Sequence, residues 1–305
     1  MVRRTGGNKV NGQVKIITAM LIFGSIGVFV KNINLTSSEI ALLRGIIGSL
    51  VLIGASFLVK MRLSFTAIRS NLILLTLSGA AIGFNWIFLF EAYQYTSIAN
   101  ATVSYYFASV FVMALAPIVL KEKLTLVKVV SIITAMIGLF LIVGSGESST
   151  NDSYQHAMGI TYGLLAAGLY ASVILMNKFI KNLSGFETTL VQLLMASFVL
   201  LPYVYAKEGL DFSGINSLGI ILILFLGVVH TGFAYFLYFG AVKQLKGQTI
   251  AVLSYIDPIS AVIIAAIFLV EGMNFIQILG GVLILGSTFL SENIGMNLFK
   301  RAKVY

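Results

Sequence analysis

The sequence predicts an all-α integral membrane protein: ten transmembrane helices, arranged as two inverted five-helix repeats around a central cavity. Three observations carry that expectation. Apolar segments of spanning length follow one another along the chain, lysine and arginine fall on one side of them, and an internal repeat crosses the membrane in the opposite sense. The 305 residues are 58% hydrophobic and 10% charged, with a mean hydropathy of +0.99. A soluble domain carries about 25% charged residues, so this chain has too few polar groups to cover a water-facing surface. The absence of cysteine removes disulfides and thiolate metal sites. The formal charge of +9 comes from basic residues that punctuate apolar runs rather than gather on a soluble face, so no nucleic-acid partner is expected.

A spanning helix takes roughly 20 mostly apolar residues. Such runs fall at approximately 14–31, 38–60, 71–91, 98–119, 126–144, 158–180, 187–206, 216–240, 248–270 and 275–294. Span 1 follows a basic start, "MVRRTGGNK", as a signal peptide would. It lacks a small-residue cleavage site and more apolar runs follow, so it reads as a retained helix. Spans 2 to 5 complete a first repeat over 1–145. The polar stretch "GSGESSTNDSYQHA" closes it and makes 146–157 an external linker; spans 6 to 10 form a second repeat over 158–305. The paired glycines of "GAAIG" (Gly79, Gly83) in span 3 and "GITYG" (Gly159, Gly163) in span 6 have the small-xxx-small spacing of close helix packing.

Cytoplasmic loops carry an excess of lysine and arginine. With both termini in the cytoplasm, 17 of the 20 basic residues lie on that side; the outer side holds Lys31 and Lys207, and Arg44 lies inside span 2. A missed or added span would scramble this bias, so it supports ten crossings of the cell membrane. Five spans per repeat then insert the second repeat in the reverse sense. A shift of 149 residues aligns Ala92/Ala241, Val103/Val252, Tyr106/Tyr255, Leu120/Leu269 and Glu122/Glu271, and a shift of 148 aligns Glu39 with Glu187 and Arg44 with Gln192. Inverted repeats of this kind mark alternating-access transporters, with the binding site between the halves near the midplane.

The segments "YTSIANATVSYYFASVFVMALAPIVLKEKLTLVKVVSIITAMIGLFLIVG" and "YIDPISAVIIAAIFLVEGMNFIQILGGVLILGSTFL" resemble the two halves of EamA-type permeases of the drug/metabolite transporter superfamily. "EIALLRGIIGSL" resembles the family's second helix, which often carries an arginine where Arg44 stands. The resemblance covers nearly the whole chain. It implies a cavity lined mainly by spans 1, 3, 4, 6, 8 and 9 and opening to each side in turn. Two departures stand out: the first half has "FASVF" where the second has "YIDPIS" and so lacks the proline, and Gly272 replaces the base expected after Glu271.

Polar residues within the spans are the candidates for substrate contact. Asp257 lies near the middle of span 9, where a carboxylate costs roughly 2.5–3.5 kcal/mol on insertion scales; it is expected to face protein or water. Ser254 and Ala261 extend its helix face. Pro258 leaves the Ser254 carbonyl without its donor, so a bend is expected there and Pro258 is the gating candidate. Asp257 fits two roles, a structural hydrogen bond or a ligand for a cationic group or a proton. Arg44 either snorkels outward to Glu39 and the headgroups or clamps a substrate carboxylate with its planar fork. His230, with Tyr238 on its face, is either a satisfied core residue or the competing proton carrier. Asn85 of span 3 aligns opposite Ala234 of span 8. Tyr105 aligns with Ser254 and is expected to face the same cavity. Trp86 is placed either to stack a ring-bearing substrate or in lipid and core.

No phosphate-binding loop is present, His156 and His230 have no acid at metal-ligand spacing, and no nucleophile sits beside a positioned base. No cofactor is expected, the chain is not read as an enzyme, and no oligomer is required. The expected function is secondary transport of small organic metabolites such as amino acids, in the export direction, by rocking of the halves around Asp257, Ser254, Tyr105, Asn85 and His230. Membrane lipid is the surrounding partner, and proton exchange and passive facilitation both fit. Two further readings remain: a flippase for lipids or hydrophobic drugs, with a cavity open sideways, and a membrane enzyme acting on a lipid-linked substrate.

Overall fold

The computed structural model describes residues 4–58, 60, 63–121, 125–145, 155–209, 215–242, 244–245 and 247–302. Most of the linker expected over 146–157, Glu122, and the basic residues Arg3, Arg62, Lys123, Lys243, Lys246 and Lys303 lie outside them. All regular structure among the described residues is helical. The first half holds α1 (Arg4–Lys31), α2 (Ser37–Leu58), α3 (Phe65–Ser70), α4 (Leu72–Tyr95), α5 (Ile98–Tyr106), α6 (Ala108–Val119) and α7 (Leu126–Ser145). The second holds α8 (His156–Asn177), α9 (Gly185–Glu208), α10 (Ser217–Phe225), a π-helical segment (Leu226–Phe233), α11 (Ala234–Val242), α12 (Gly247–Ser254), α13 (Ile256–Phe268) and α14 (Phe275–Ala302).

Seven of the described segments are long and apolar enough to cross a membrane: Asn11–Lys31, Ser37–Leu58, Leu72–Tyr95, Ile98–Val119, His156–Asn177, Gly185–Glu208 and Ser217–Val242. Shorter apolar helices, Leu126–Ile142, Ile256–Phe268 and Phe275–Ser287, stand where spans 5, 9 and 10 were expected. Spans 4 and 9 differ from expectation in the same way. Each is interrupted by a single residue outside regular helix, Phe107 in the first and Tyr255 in the second, which divides it into two short helices. The short α3 was not expected; Ser64 caps it by accepting from the Ala67 N–H.

Local sequence fixes the helix ends. At α2, Thr36 and Glu39 cap reciprocally: the Glu39 carboxylate accepts from the Thr36 N–H at 2.9 Å and the Thr36 hydroxyl accepts from the Glu39 N–H at 3.3 Å. Ser184 and Glu187 build the same box at α9. Left-handed backbone closes helices at matching places in the two halves. Lys60 (φ 49) and Gly209 (φ 76) follow α2 and α9, Lys121 (φ 56) and Val270 (φ 56) follow α6 and α13, and each pair is 149 residues apart.

α2 and α9 lie side by side and antiparallel. The Ser38 hydroxyl at the start of α2 donates to Glu208 at the end of α9 (3.0 Å), and the Ser64 N–H just past α2 donates to Glu187 at the start of α9 (3.1 Å). α4 packs between α8 and α9; Gly79 and Gly83 admit Met195 and Leu200 of α9, while Gly159 and Gly163 of α8 admit Thr96 and Ser104. α7 and α14 cross at Gly138 and Gly280, where a Cβ on either would sit 2.6 or 2.5 Å from the other's carbonyl oxygen. The main buried cluster joins α1, α2, α4, α5, α9 and α10 through residues such as Val30, Ile40, Leu52, Phe90, Ile98, Leu193 and Ile223. Outward faces carry Phe57, Ile118, Phe140 and Phe198, all at least three-quarters exposed. Such a surface suits lipid, since water would make it an aggregation hazard.

Candidate functional site

The site is built on the two helix breaks. Asp257 and Pro258 lie in the first turn of α13, with Tyr255 as the capping residue. The first N–H groups of a helix have no intrahelical acceptor, so proline here forfeits nothing. This corrects the expectation of a continuous helix bent at Pro258. The chain already breaks at Tyr255, and the first half breaks at Phe107 with no proline at the break. At a helix N-terminus Asp257 also meets the positive end of the α13 dipole, which lowers the cost of a carboxylate at this depth. Tyr106, the last residue of α5, donates its hydroxyl to Asp257 Oδ2 at 2.6 Å. The break in one half therefore meets the break in the other.

Arg44 lies buried on α2. It is 3% exposed, so it does not snorkel, and Glu39 is occupied by Thr36; the outward reading of Arg44 is corrected. Its Nε donates to Thr231 Oγ1 at 2.7 Å, and its guanidinium stacks 4.4 Å from the Trp86 ring centroid and 5.8 Å from that of Phe90. Among the described residues no carboxylate forms an ion pair with it. Asp257 lies within electrostatic range of Arg44, and Tyr93, Tyr105 and Tyr235 are within range of both. Tyr170 stacks beside Tyr105 with ring centroids 5.4 Å apart. The cluster thus draws on α2, α4, α5, α8, α11 and α13: one cation, one carboxylate and a ring of phenols.

The π segment positions Arg44's partner. Gly227 and Gly232, five residues apart, receive Ile47 and Val51 of α2, four apart, while Gly48 of α2 receives Thr231. One extra residue per turn lets the two helices stay in step through this contact. The same segment buries His230 against Phe29 and Phe225 and brings its Nε2 within 2.8 Å of the Ser25 hydroxyl of α1. Next to Ser25, Gly24 lets α1 touch the Asp257 turn; a Cβ there would lie 2.7 Å from the Asp257 carbonyl oxygen.

Of the sequence candidates, Asp257, Arg44 and Tyr105 come together, with Trp86 beneath Arg44. The others are engaged elsewhere. Asn85 donates to the Ala166 carbonyl at 2.6 Å and joins α4 to α8. Ser254 returns its hydroxyl to Ile250 on its own helix at 2.8 Å. Tyr238 packs with Ile16, Ala19 and Met20 of α1. Sequence reasoning missed Tyr106, Tyr93, Tyr235, Tyr170, Ser25 and Thr231. Tyr106 alone carried a signal, its alignment with Tyr255 across the halves.

Comparison with known proteins gives a consistent result. The profile of the EamA-like transporter family matches twice, over residues 10–144 and 157–292. The uncharacterized transporter YxxF of Bacillus subtilis (strain 168) is 32% identical over 284 residues, covering 93% of this chain and 90% of that protein. An uncharacterized transporter of Archaeoglobus fulgidus is 26% identical over 92% of this chain and 96% of its own length. Human solute carrier family 35 member G1 is 25% identical over 84% of this chain and 72% of its own length. A crystal structure at 14% identity covers 95% of this chain and 99% of that chain with a TM-score of 0.63, a likeness of fold.

Proposed function

This chain belongs to the EamA-like transporter family, and from that premise we propose an alternating-access exporter of small organic metabolites such as amino acids. It is a multi-pass membrane transporter built from two tandem copies of the family's domain, not an enzyme. In the proposed architecture each copy, over 1–145 and 158–305, contributes five crossings, and the copies are inverted. The antiparallel α2 and α9, equivalent helices tied end to end, support the inversion. Both termini lie in the cytoplasm of a cell-membrane protein, as the basic residues favour.

The observation that carries the reading is one cation and one carboxylate, each bonded across the two copies inside the bundle: Arg44 to Thr231 and Asp257 to Tyr106, with no carboxylate ion-paired to Arg44 among the described residues. A zwitterion's ammonium group fits Asp257 and its carboxylate fits Arg44, whose Nε is held by Thr231. Tyr106 holds Asp257 and packs against Tyr105, Trp86 acts by stacking Arg44, and Pro258 rigidifies the start of α13. Asp257 is the favoured site for any proton exchange, because His230 is wholly buried between two phenylalanines and Ser25.

The test is counterflow of labelled amino acids and related metabolites into liposomes holding the purified protein. Accumulation of a zwitterionic solute, lost in Asp257→Asn while the protein keeps its thermal stability, is the expected result. Failure of every soluble solute overturns the reading. Translocation of a labelled lipid would then establish a flippase, and a lipid product by mass spectrometry an enzyme. Repeating the assay under an imposed pH gradient reads proton coupling; no change in rate or extent excludes it.

A further inference from the structure

One carboxylate joins three ends of the bundle. Glu271 Oε1 takes the Lys31 ammonium group, at the last residue of α1, at 2.5 Å; Oε2 accepts the N–H of Ile98, the first residue of α5, at 2.8 Å. Lys31 and Ile98 belong to the first half and Glu271 to the second. The two charged side chains are only 14% and 10% exposed, so the pair is part-buried; Lys31 also lines an open polar cavity with Asn32, Glu91 and Gln94. Gly27 of α1 lies directly against Ile98, where a Cβ would come within 2.8 Å of the isoleucine side chain, leaving no slack between α1 and α5.

The turn that delivers Glu271 is strained. Val270 has φ 56, a left-handed backbone that a β-branched side chain rarely adopts. That geometry carries the Glu271 N–H back to the Ala265 carbonyl at 3.4 Å and aims its side chain at α1 and α5. Strain of this kind persists where the surrounding structure overrides it, often at switching elements.

We propose that Glu271 is the latch of the outer gate: its bonds to Lys31 and to the start of α5 hold the two halves closed at that face and break each time the chamber opens outward. This rests on the alternating-access reading and its orientation. For a solute to leave between the halves on the side of Lys31, α1 and α5 must part from the α13–α14 turn, and Glu271 is bonded across that seam. A part-buried ion pair that also caps a helix is costly to break singly, but once more water enters, each partner is readily solvated. The gate therefore has two states rather than a continuum, and the strain at Val270 favours release.

The chain lacks cysteine, so a single Tyr105→Cys reporter can read the chamber with a membrane-impermeant thiol reagent applied to whole cells. The expected result is labelling at least tenfold faster when Glu271→Gln is added, since the amide keeps the Ile98 acceptor and loses the ion pair. Val270→Gly should act oppositely and slow labelling several-fold, because glycine holds the turn without strain and stabilises the closed state. A merely loosened fold would speed both. Unchanged labelling in Glu271→Gln, acceleration by both variants, or acceleration seen only from the cytoplasmic face overturns the latch. Labelling requires no substrate. Labelling as expected, with no counterflow by the protein that keeps Tyr105, keeps the latch and removes the transport reading, and counterflow by that protein with unaltered labelling does the reverse.

Discussion

Arg44 shows what one buried charge needs. It uses Nε on Thr231 and the flat face of its guanidinium on Trp86. Lysine would supply the charge and neither the plane nor the fixed donor. Arg44→Lys should therefore lower counterflow by at least tenfold, with the loss in apparent affinity rather than maximal rate. Thr231→Val should reproduce part of that loss, and Thr231→Ser, which keeps the hydroxyl, should restore it; equal behaviour of the two Thr231 variants would remove threonine from the positioning of Arg44. At this scale Arg44 and Asp257 were legible because a charge inside an apolar run stands out. Tyr106, Tyr93 and Tyr235 were not, because phenols are frequent here, 13 in the chain, and nothing in a single sequence separates a lipid-facing tyrosine from one bonded to Asp257.

At the scale of elements, breaks and close crossings do the positioning. Pro258 pointed to irregular backbone in span 9, but the break lies at Tyr255, and its twin at Phe107 has no proline to announce it. The π segment was equally silent: one added residue leaves hydropathy unchanged, and the five-residue spacing of Gly227 and Gly232 gains meaning only beside Ile47 and Val51. The glycines also make a quantitative contrast. A Cβ at Gly280 would meet the Gly138 carbonyl at 2.5 Å, whereas one at Gly286 on the same helix would meet nothing within 4 Å. Gly280→Ala must separate α7 from α14, an overpacking cost of about 1–3 kcal/mol, while Gly286→Ala gains helix propensity of about 0.8–1 kcal/mol. Thermal unfolding in detergent should fall for the first and hold or rise for the second; the opposite order would mean that this crossing is not tight.

Across the whole molecule, the duplication was the most legible feature, since the 149-residue shift depends on many residues at once. The shift even anticipates backbone geometry where residue identity has diverged, as at Lys60 against Gly209 and Lys121 against Val270. What the sequence could not show is which contacts between the halves are fixed and which must yield. The ties of α2 to α9 occur at both ends of the pair, through Ser38 with Glu208 and Ser64 with Glu187. In the proposed alternating-access cycle, opening at one face relaxes one end of a rocking pair and compresses the other, so helices held at both ends serve best as the axis about which the remaining helices move. Lys31 with Glu271 joins the halves at one face and lies over the seam. Bridging Ser38→Cys to Glu208→Cys with a short bifunctional thiol reagent should leave counterflow within about twofold of the unbridged protein. The same bridge between Lys31→Cys and Glu271→Cys should abolish it, and a reducible linker should restore it on reduction. Loss of transport on bridging α2 to α9 would move the axis elsewhere, because two helices that must slide past one another cannot be the pivot.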